Sequence, residues 1–129
     1  MSKVRPVVAV VDDVPRLLES LEDLLESAGY AARSFSSARA LLSSGLSGLD
    51  VLITDIGMPG FDGFELRDVV KKARPELPVF LITGRHEIAD QSRAQGISGF
   101  FRKPFDGQAL LTAVGDSLGD REVEDDNES

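Results

Sequence analysis

The 129-residue sequence has no cysteine and no tryptophan, and only one histidine and one tyrosine. Without cysteine there is neither a disulfide framework nor a thiolate metal site, which suits a reducing compartment such as the cytoplasm. No apolar run reaches the roughly 20 residues that a membrane-spanning helix requires. The first six residues lack the apolar core of a secretory signal. The formal charge of −8 argues against a nucleic-acid-binding surface. Much of that charge is local: Asp120, Glu122, Glu124, Asp125, Asp126 and Glu128 outnumber Arg121 and leave −5 in the last ten residues. A disordered, solvated tail is expected over 120–129, behind a single domain over 4–119. The lone His86, next to Glu87, reads as a surface residue rather than a ligand or phosphocarrier.

Two kinds of segment alternate along the chain. Residues 7–11, 31–35, 50–54, 79–83 and 99–101 are short, mostly apolar runs that read as strands. Between them lie helical patterns. Val14, Leu17, Leu18, Leu21, Leu24, Leu25 and Ala28 recur at three- and four-residue steps, closed by Gly29. Further helices are expected over 37–44, 64–73, 87–95 and 106–118. Five β–α repeats require crossover helices and hence a parallel sheet. The unbroken apolar strands agree, because a central parallel strand is covered on both faces. Ligands of such sheets bind outside the carboxyl ends of the strands.

That edge collects an unusual set of side chains. The first strand runs into Asp12 and Asp13, the third into Asp55, the fourth ends in Thr83, and Lys103 and Pro104 follow the fifth. Each has a plain structural alternative. Asp13 suits a helix cap, Asp55 a turn former ahead of Gly and Pro, Thr83 a core hydroxyl and Lys103 a surface charge. Together they make a site. Two unit charges 4 Å apart cost about 4 kcal/mol at an effective dielectric near 20, so three carboxylates need a compensating cation. Clustered oxygen ligands suit Mg²⁺, or Mn²⁺. A cation, an ammonium and a hydroxyl can hold a phosphoryl group, and a carboxylate among them can be its nucleophile.

The stretches VVDDVPRLLESLEDLLESAGY, LITDIGMPGFDGFEL, FLITG and FFRKPF occur in this order over essentially residues 4–118. In them the sequence resembles a response-regulator receiver domain of two-component signalling. The resemblance implies a flavodoxin-like (βα)5 doubly wound sandwich with five parallel strands in the order 2-1-3-4-5. It implies Asp55 as phosphoacceptor. It makes Asp13 a direct Mg²⁺ ligand, Asp12 one acting mainly through water, and the Gly57 carbonyl a further ligand. Thr83 and Lys103 would contact the phosphoryl oxygens, Phe100 would be the aromatic switch, and the Lys103–Pro104 peptide would be cis. The phosphodonor would be a histidine kinase or a phosphotransfer protein. The responding surface would comprise the fourth helix, fifth strand and fifth helix, serving a partner or a homodimer. Such a chain catalyses only its own phosphorylation and dephosphorylation.

The resemblance is compatible with a stand-alone receiver, or with a fragment of a DNA-binding regulator or hybrid kinase. Two other classes compete. A haloacid-dehalogenase-type phosphohydrolase needs a second acid two residues after its nucleophile, where this sequence has Gly57. A pseudo-receiver would bind partners without phosphorylation. Phosphoryl uptake separates it from the switch.

Overall fold

The computed structural model describes residues 5–57, 60–83, 99–102 and 106–128. Five strands, β1 (Val7–Val11), β2 (Ala31–Phe35), β3 (Val51–Asp55), β4 (Val79–Thr83) and β5 (Gly99–Arg102), form one parallel sheet in the order β2-β1-β3-β4-β5. This is the doubly wound order that the resemblance implied. The described helices are α1 (Pro15–Ser27), α2 (Ala38–Ser44), α3 (Gly63–Ala73) and α4 (Gly107–Glu128). The helix predicted over 87–95 lies outside the described residues.

Alternate residues of each central strand feed opposite cores. Ala9, Val11, Leu52, Val79 and Leu81 join Ala38 and Leu41 of α2 and Phe64, Leu66 and Val70 of α3. Val8, Val10, Val51, Ile53, Phe80 and Ile82 join Leu21 and Leu25 of α1 and Leu110 and Val114 of α4. A residue period of two therefore builds two cores, one on each face of the sheet. Each fully buried aliphatic side chain contributes about 1.5–3 kcal/mol. The central strands are consequently packed on both faces, and whatever they carry at their ends is held with them.

Local chemistry sets the helix ends. After α1, the Gly29 amide bonds to the Glu26 carbonyl and the Tyr30 amide to the Leu25 carbonyl, both at 3.1 Å, with Gly29 at φ 97°. That is the Schellman arrangement, which needs a left-handed residue at Gly29. Ser37 caps α2, its hydroxyl accepting from the Ala40 amide at 3.0 Å. Asp62 and Glu65 form a capping box at the start of α3, each carboxylate accepting from the other's amide at 2.9 Å.

Several boundaries differ from the sequence reading. β3 starts at Val51 and reaches Asp55; just ahead of it, Asp50 holds Val7 through two bonds, its carboxylate accepting from the Val7 amide and its amide donating to the Val7 carbonyl, each at 2.8 Å. β5 extends by one residue to Arg102, which pairs with Thr83. The sequence places a disordered tail over 120–129, whereas the backbone stays helical to Glu128. Helix propagation needs only local amide–carbonyl bonds, and Arg121, Glu122 and Glu124 are good helix formers, so acidity alone does not end the helix.

At the other end of α3, the Lys71 ammonium donates to the carbonyls of Leu77 at 2.7 Å and Pro75 at 3.3 Å. Partial burial holds its pKa below the ordinary lysine value; Glu76 opposes that shift and Arg67 reinforces it. Between the lowered value and 10.5 the folded chain binds fewer protons here than the unfolded chain. Stability from this group therefore rises with pH across that window. The urea midpoint of the wild type, measured against Lys71→Met, should gain as pH is raised from neutral toward 10.5. A difference that stays constant with pH would rule this out.

Candidate functional site

β1 and β3 are adjacent, and β2 continues the sheet on the other side of β1. The strand order reverses at this place, which leaves a crevice at the carboxyl ends of β1 and β3. Asp12 and Asp13 leave β1, and Asp55 closes β3. A carboxylate oxygen of each lies within 4.8 Å of those of the other two. Asp12 and Asp55 are buried, at 1% and 6% exposure, and Asp13 is exposed. Thr83, at the end of the neighbouring β4, is buried as well.

Backbone bonds fix each acid. The Asp12 amide donates to the Phe35 carbonyl at 3.2 Å, tying the end of β1 to β2. One Asp12 carboxylate oxygen accepts from the Val14 amide at 2.9 Å. The local turn bond ahead of α1 therefore comes from Asp12. The sequence reading offers Asp13 as the cap, but the residue at the helix boundary is Val14, which has no side-chain cap bond, with Pro15 in the first turn. An aspartate accepting from the amide two residues on forms an Asx turn, and this geometry selects Asp12. Asp13, the next residue, is exposed yet keeps a carboxylate oxygen within 4.8 Å of those of Asp12 and Asp55.

Asp55 is held differently. It pairs with Ile82 in the β3–β4 ladder, and the following Ile56 amide donates to the Ile82 carbonyl at 2.9 Å. The Thr54 hydroxyl donates to the Asp55 carbonyl at 3.1 Å. On the far side, the Gly63 amide at the start of α3 donates to the Ile56 carbonyl at 3.0 Å. Neither Thr54 nor Gly63 stands out in sequence reading as a support. The Asp62-Gly63 pair is visible there, but the approach of α3 to β3 is not.

The donor set fits a hard divalent cation. Three carboxylates offer oxygen ligands within one short radius, and the exposure of Asp13 leaves room for the waters that Mg²⁺ retains. Gly57, whose carbonyl is the other expected ligand, is exposed in the chain leaving β3. Phe100 lies in β5 opposite Leu81. Lys103 and Pro104, with the cis peptide expected between them, lie outside the described residues, as does His86. Among the described residues, no helix is long and apolar enough to cross a membrane.

Beside the acids, a half-open cleft of about 560 Å³ lies between the start of α2 and α3. Asp13, Arg39, Phe61, Glu65 and Val69 are among its walls. Glu65 is engaged by the capping box.

Comparison with known proteins agrees with this architecture. The family model described as the response regulator receiver domain matches residues 8–115. The chain is 38% identical over 116 residues to the transcriptional regulatory protein FixJ of Azorhizobium caulinodans, covering 87% of this chain and 54% of that protein. It is 36% identical to the C4-dicarboxylate transport transcriptional regulatory protein DctD of Pseudomonas aeruginosa, covering 83% of this chain and 24% of that protein. It thus spans about half of the first relative and about a quarter of the second. Among solved structures, a response regulator receiver domain protein from Clostridium thermocellum superposes with a TM-score of 0.84 at 25% identity, covering 92% of this chain and 98% of that one. The response regulator TrrA of Thermotoga maritima, solved in complex with Mg²⁺–BeF, gives 0.79 at 25% identity, covering 87% of this chain and 98% of that one.

Proposed function

Since the chain belongs to the response regulator receiver domain family of two-component signalling, we propose that it works as a phosphorylation-driven switch with Asp55 as its phosphoacceptor. The observation that carries this reading is the placement of buried Asp55 within 4.8 Å of Asp12 and Asp13 at the reversal point of the sheet. In the transfer, an Asp55 carboxylate oxygen attacks the phosphorus of a phosphohistidine on a histidine kinase or phosphotransfer protein. The oxygen–phosphorus bond forms as the nitrogen–phosphorus bond breaks, and the imidazole nitrogen keeps the electron pair. Mg²⁺ or Mn²⁺, held by Asp12, Asp13, Asp55 and the Gly57 carbonyl, supplies positive charge against the phosphoryl oxygens when bound. Lys103 pairs with those oxygens and Thr83 donates its hydroxyl to them.

The new charge on Asp55 draws Thr83 toward the site, and Phe100 turns into the space it leaves. The surface of the fourth predicted helix, β5 and α4 then changes shape for a partner or a second copy. Inverting a 1:99 population requires phosphorylation to favour the active state by about 5.5 kcal/mol. The proposed compartment is the cytoplasm, where kinases of this type supply phosphoryl groups.

Incubation with acetyl phosphate, followed by intact mass measurement, tests the proposal. One phosphoryl adduct is expected with Mg²⁺ and none with EDTA. Absence of the adduct under both conditions would exclude the switch and leave a phosphorylation-independent interaction module.

A further inference from the structure

Resting on that phosphoryl transfer, we infer that Gly63 is a positioning residue for Asp55, set by the close approach of α3 to the peptide that follows the acid. A Cβ at Gly63 would lie 2.5 Å from the Asp55 carbonyl oxygen, 2.8 Å from the Ile56 Cα and 3.1 Å from the Asp55 carbonyl carbon. Gly63 is not among the glycines with positive φ, so the requirement is for space and not for a left-handed backbone.

The surroundings make the contact consequential. The same Asp55 carbonyl accepts from the Thr54 hydroxyl at 3.1 Å, and the two flanking bonds of Ile56 run to Ile82 on one side and Gly63 on the other. The peptide joining Asp55 to Ile56 is thus enclosed by β4 and by the first residue of α3. The capping box of Asp62 and Glu65 fixes where α3 begins, so Gly63 cannot slide along the helix.

Ordinary contact with a Cβ begins at about 3.4 Å. An alanine at Gly63 therefore shifts some part of this assembly by about 1 Å. The atoms it meets are backbone, which cannot rotate away as a side chain can. A misplacement of about 1 Å at a positioned reacting group slows a reaction on the order of 100-fold.

The test uses the full chain as wild type, Gly63→Ala and Gly29→Ala. Gly29→Ala is the contrasting case: it forces alanine into a disfavoured backbone, at φ 97°, but its Cβ meets nothing within 4 Å and it lies at the far end of α1. Phosphoryl uptake from acetyl phosphate with saturating Mg²⁺ is followed by intact mass. Gly63→Ala should take up phosphoryl about 100-fold more slowly, and Gly29→Ala at close to the wild-type rate. Equal slowing of both variants, or wild-type uptake by Gly63→Ala, overturns the inference.

A second measurement needs no variant and holds even if Gly63→Ala does not fold. Amide exchange at Gly63 in the wild type should slow when Mg²⁺ and beryllofluoride, a stand-in for the phosphoryl group, are added. Exchange unchanged by loading overturns the inference. A wild-type chain that takes no phosphoryl fails the switch reading as well, whereas uptake without a Gly63 effect fails this inference alone.

Discussion

Asp55→Asn takes up no phosphoryl group from acetyl phosphate and Mg²⁺, while the wild type forms its adduct. Three carboxylates share the site, and their surroundings separate their roles. One oxygen of Asp12 is committed to the Val14 amide. Asp13 stands exposed on the turn leading to α1. Asp55 alone closes a strand whose five residues are all buried, and backbone bonds hold it on both sides. Asparagine keeps the shape of that side chain but removes the anionic oxygen that attacks phosphorus. It also removes one charge from a trio in which each close pair repels by about 4 kcal/mol at 4 Å and an effective dielectric near 20. The variant should therefore unfold at higher urea than the wild type in EDTA. Loss of uptake together with higher metal-free stability is the expected signature. An adduct of wild-type extent in Asp55→Asn would move the acceptor to Asp12 or Asp13.

Magnesium at 100 times its dissociation constant raises the unfolding free energy of the wild type by about 2.7 kcal/mol. The gain arises because the three carboxylates converge only in the folded chain, where their oxygens lie within 4.8 Å of one another. In the unfolded chain Asp55 is separated from Asp12 and Asp13 by more than forty residues of sequence. Asp13→Ala should abolish most of the gain at the same Mg²⁺ concentration, because it removes the exposed carboxylate of the three without touching the turn bond of Asp12. Urea unfolding of both proteins, with Mg²⁺ and with EDTA, makes the comparison. A Mg²⁺ effect of equal size in wild type and Asp13→Ala would remove Asp13 from the ligand set.

The order of elements was legible because its signals are local. Continuous apolar strands such as 79–83 and the stepped leucines of α1 follow directly from burial on both faces of a sheet or along one face of a helix. The convergence of Asp12, Asp13 and Asp55 followed in turn, since a parallel sheet brings the carboxyl ends of its strands to one edge. What sequence concealed depends on distances between elements. Nothing in the chain says that α3 comes so close to β3 that a single methyl at Gly63 would not fit. The identity of the residue making the turn bond before α1 depended on whether Asp12 or Asp13 faced the Val14 amide, and adjacent identical residues cannot be told apart by type. The continuation of α4 to Glu128 was obscured by charge, which signals solvation without stating the backbone conformation.

Arg74, at the end of α3, gives the molecule a further property. Its guanidinium donates to the carbonyls of Leu46 and Leu49, both at 2.8 Å, and to the carboxylate of Glu76 at 2.8 Å. The segment entering β3 and the segment leading to β4 are thus clasped by one side chain, at the sheet edge opposite the acids. A planar cation with several donors in fixed directions is suited to this, because it orders two crossings at once. The two edges of the sheet consequently differ in mechanical character. One is knotted by Arg74 into a stiff base, and the other carries converging like charges. A disturbance at the acids therefore acts on strands whose opposite ends are already tied together through Arg74.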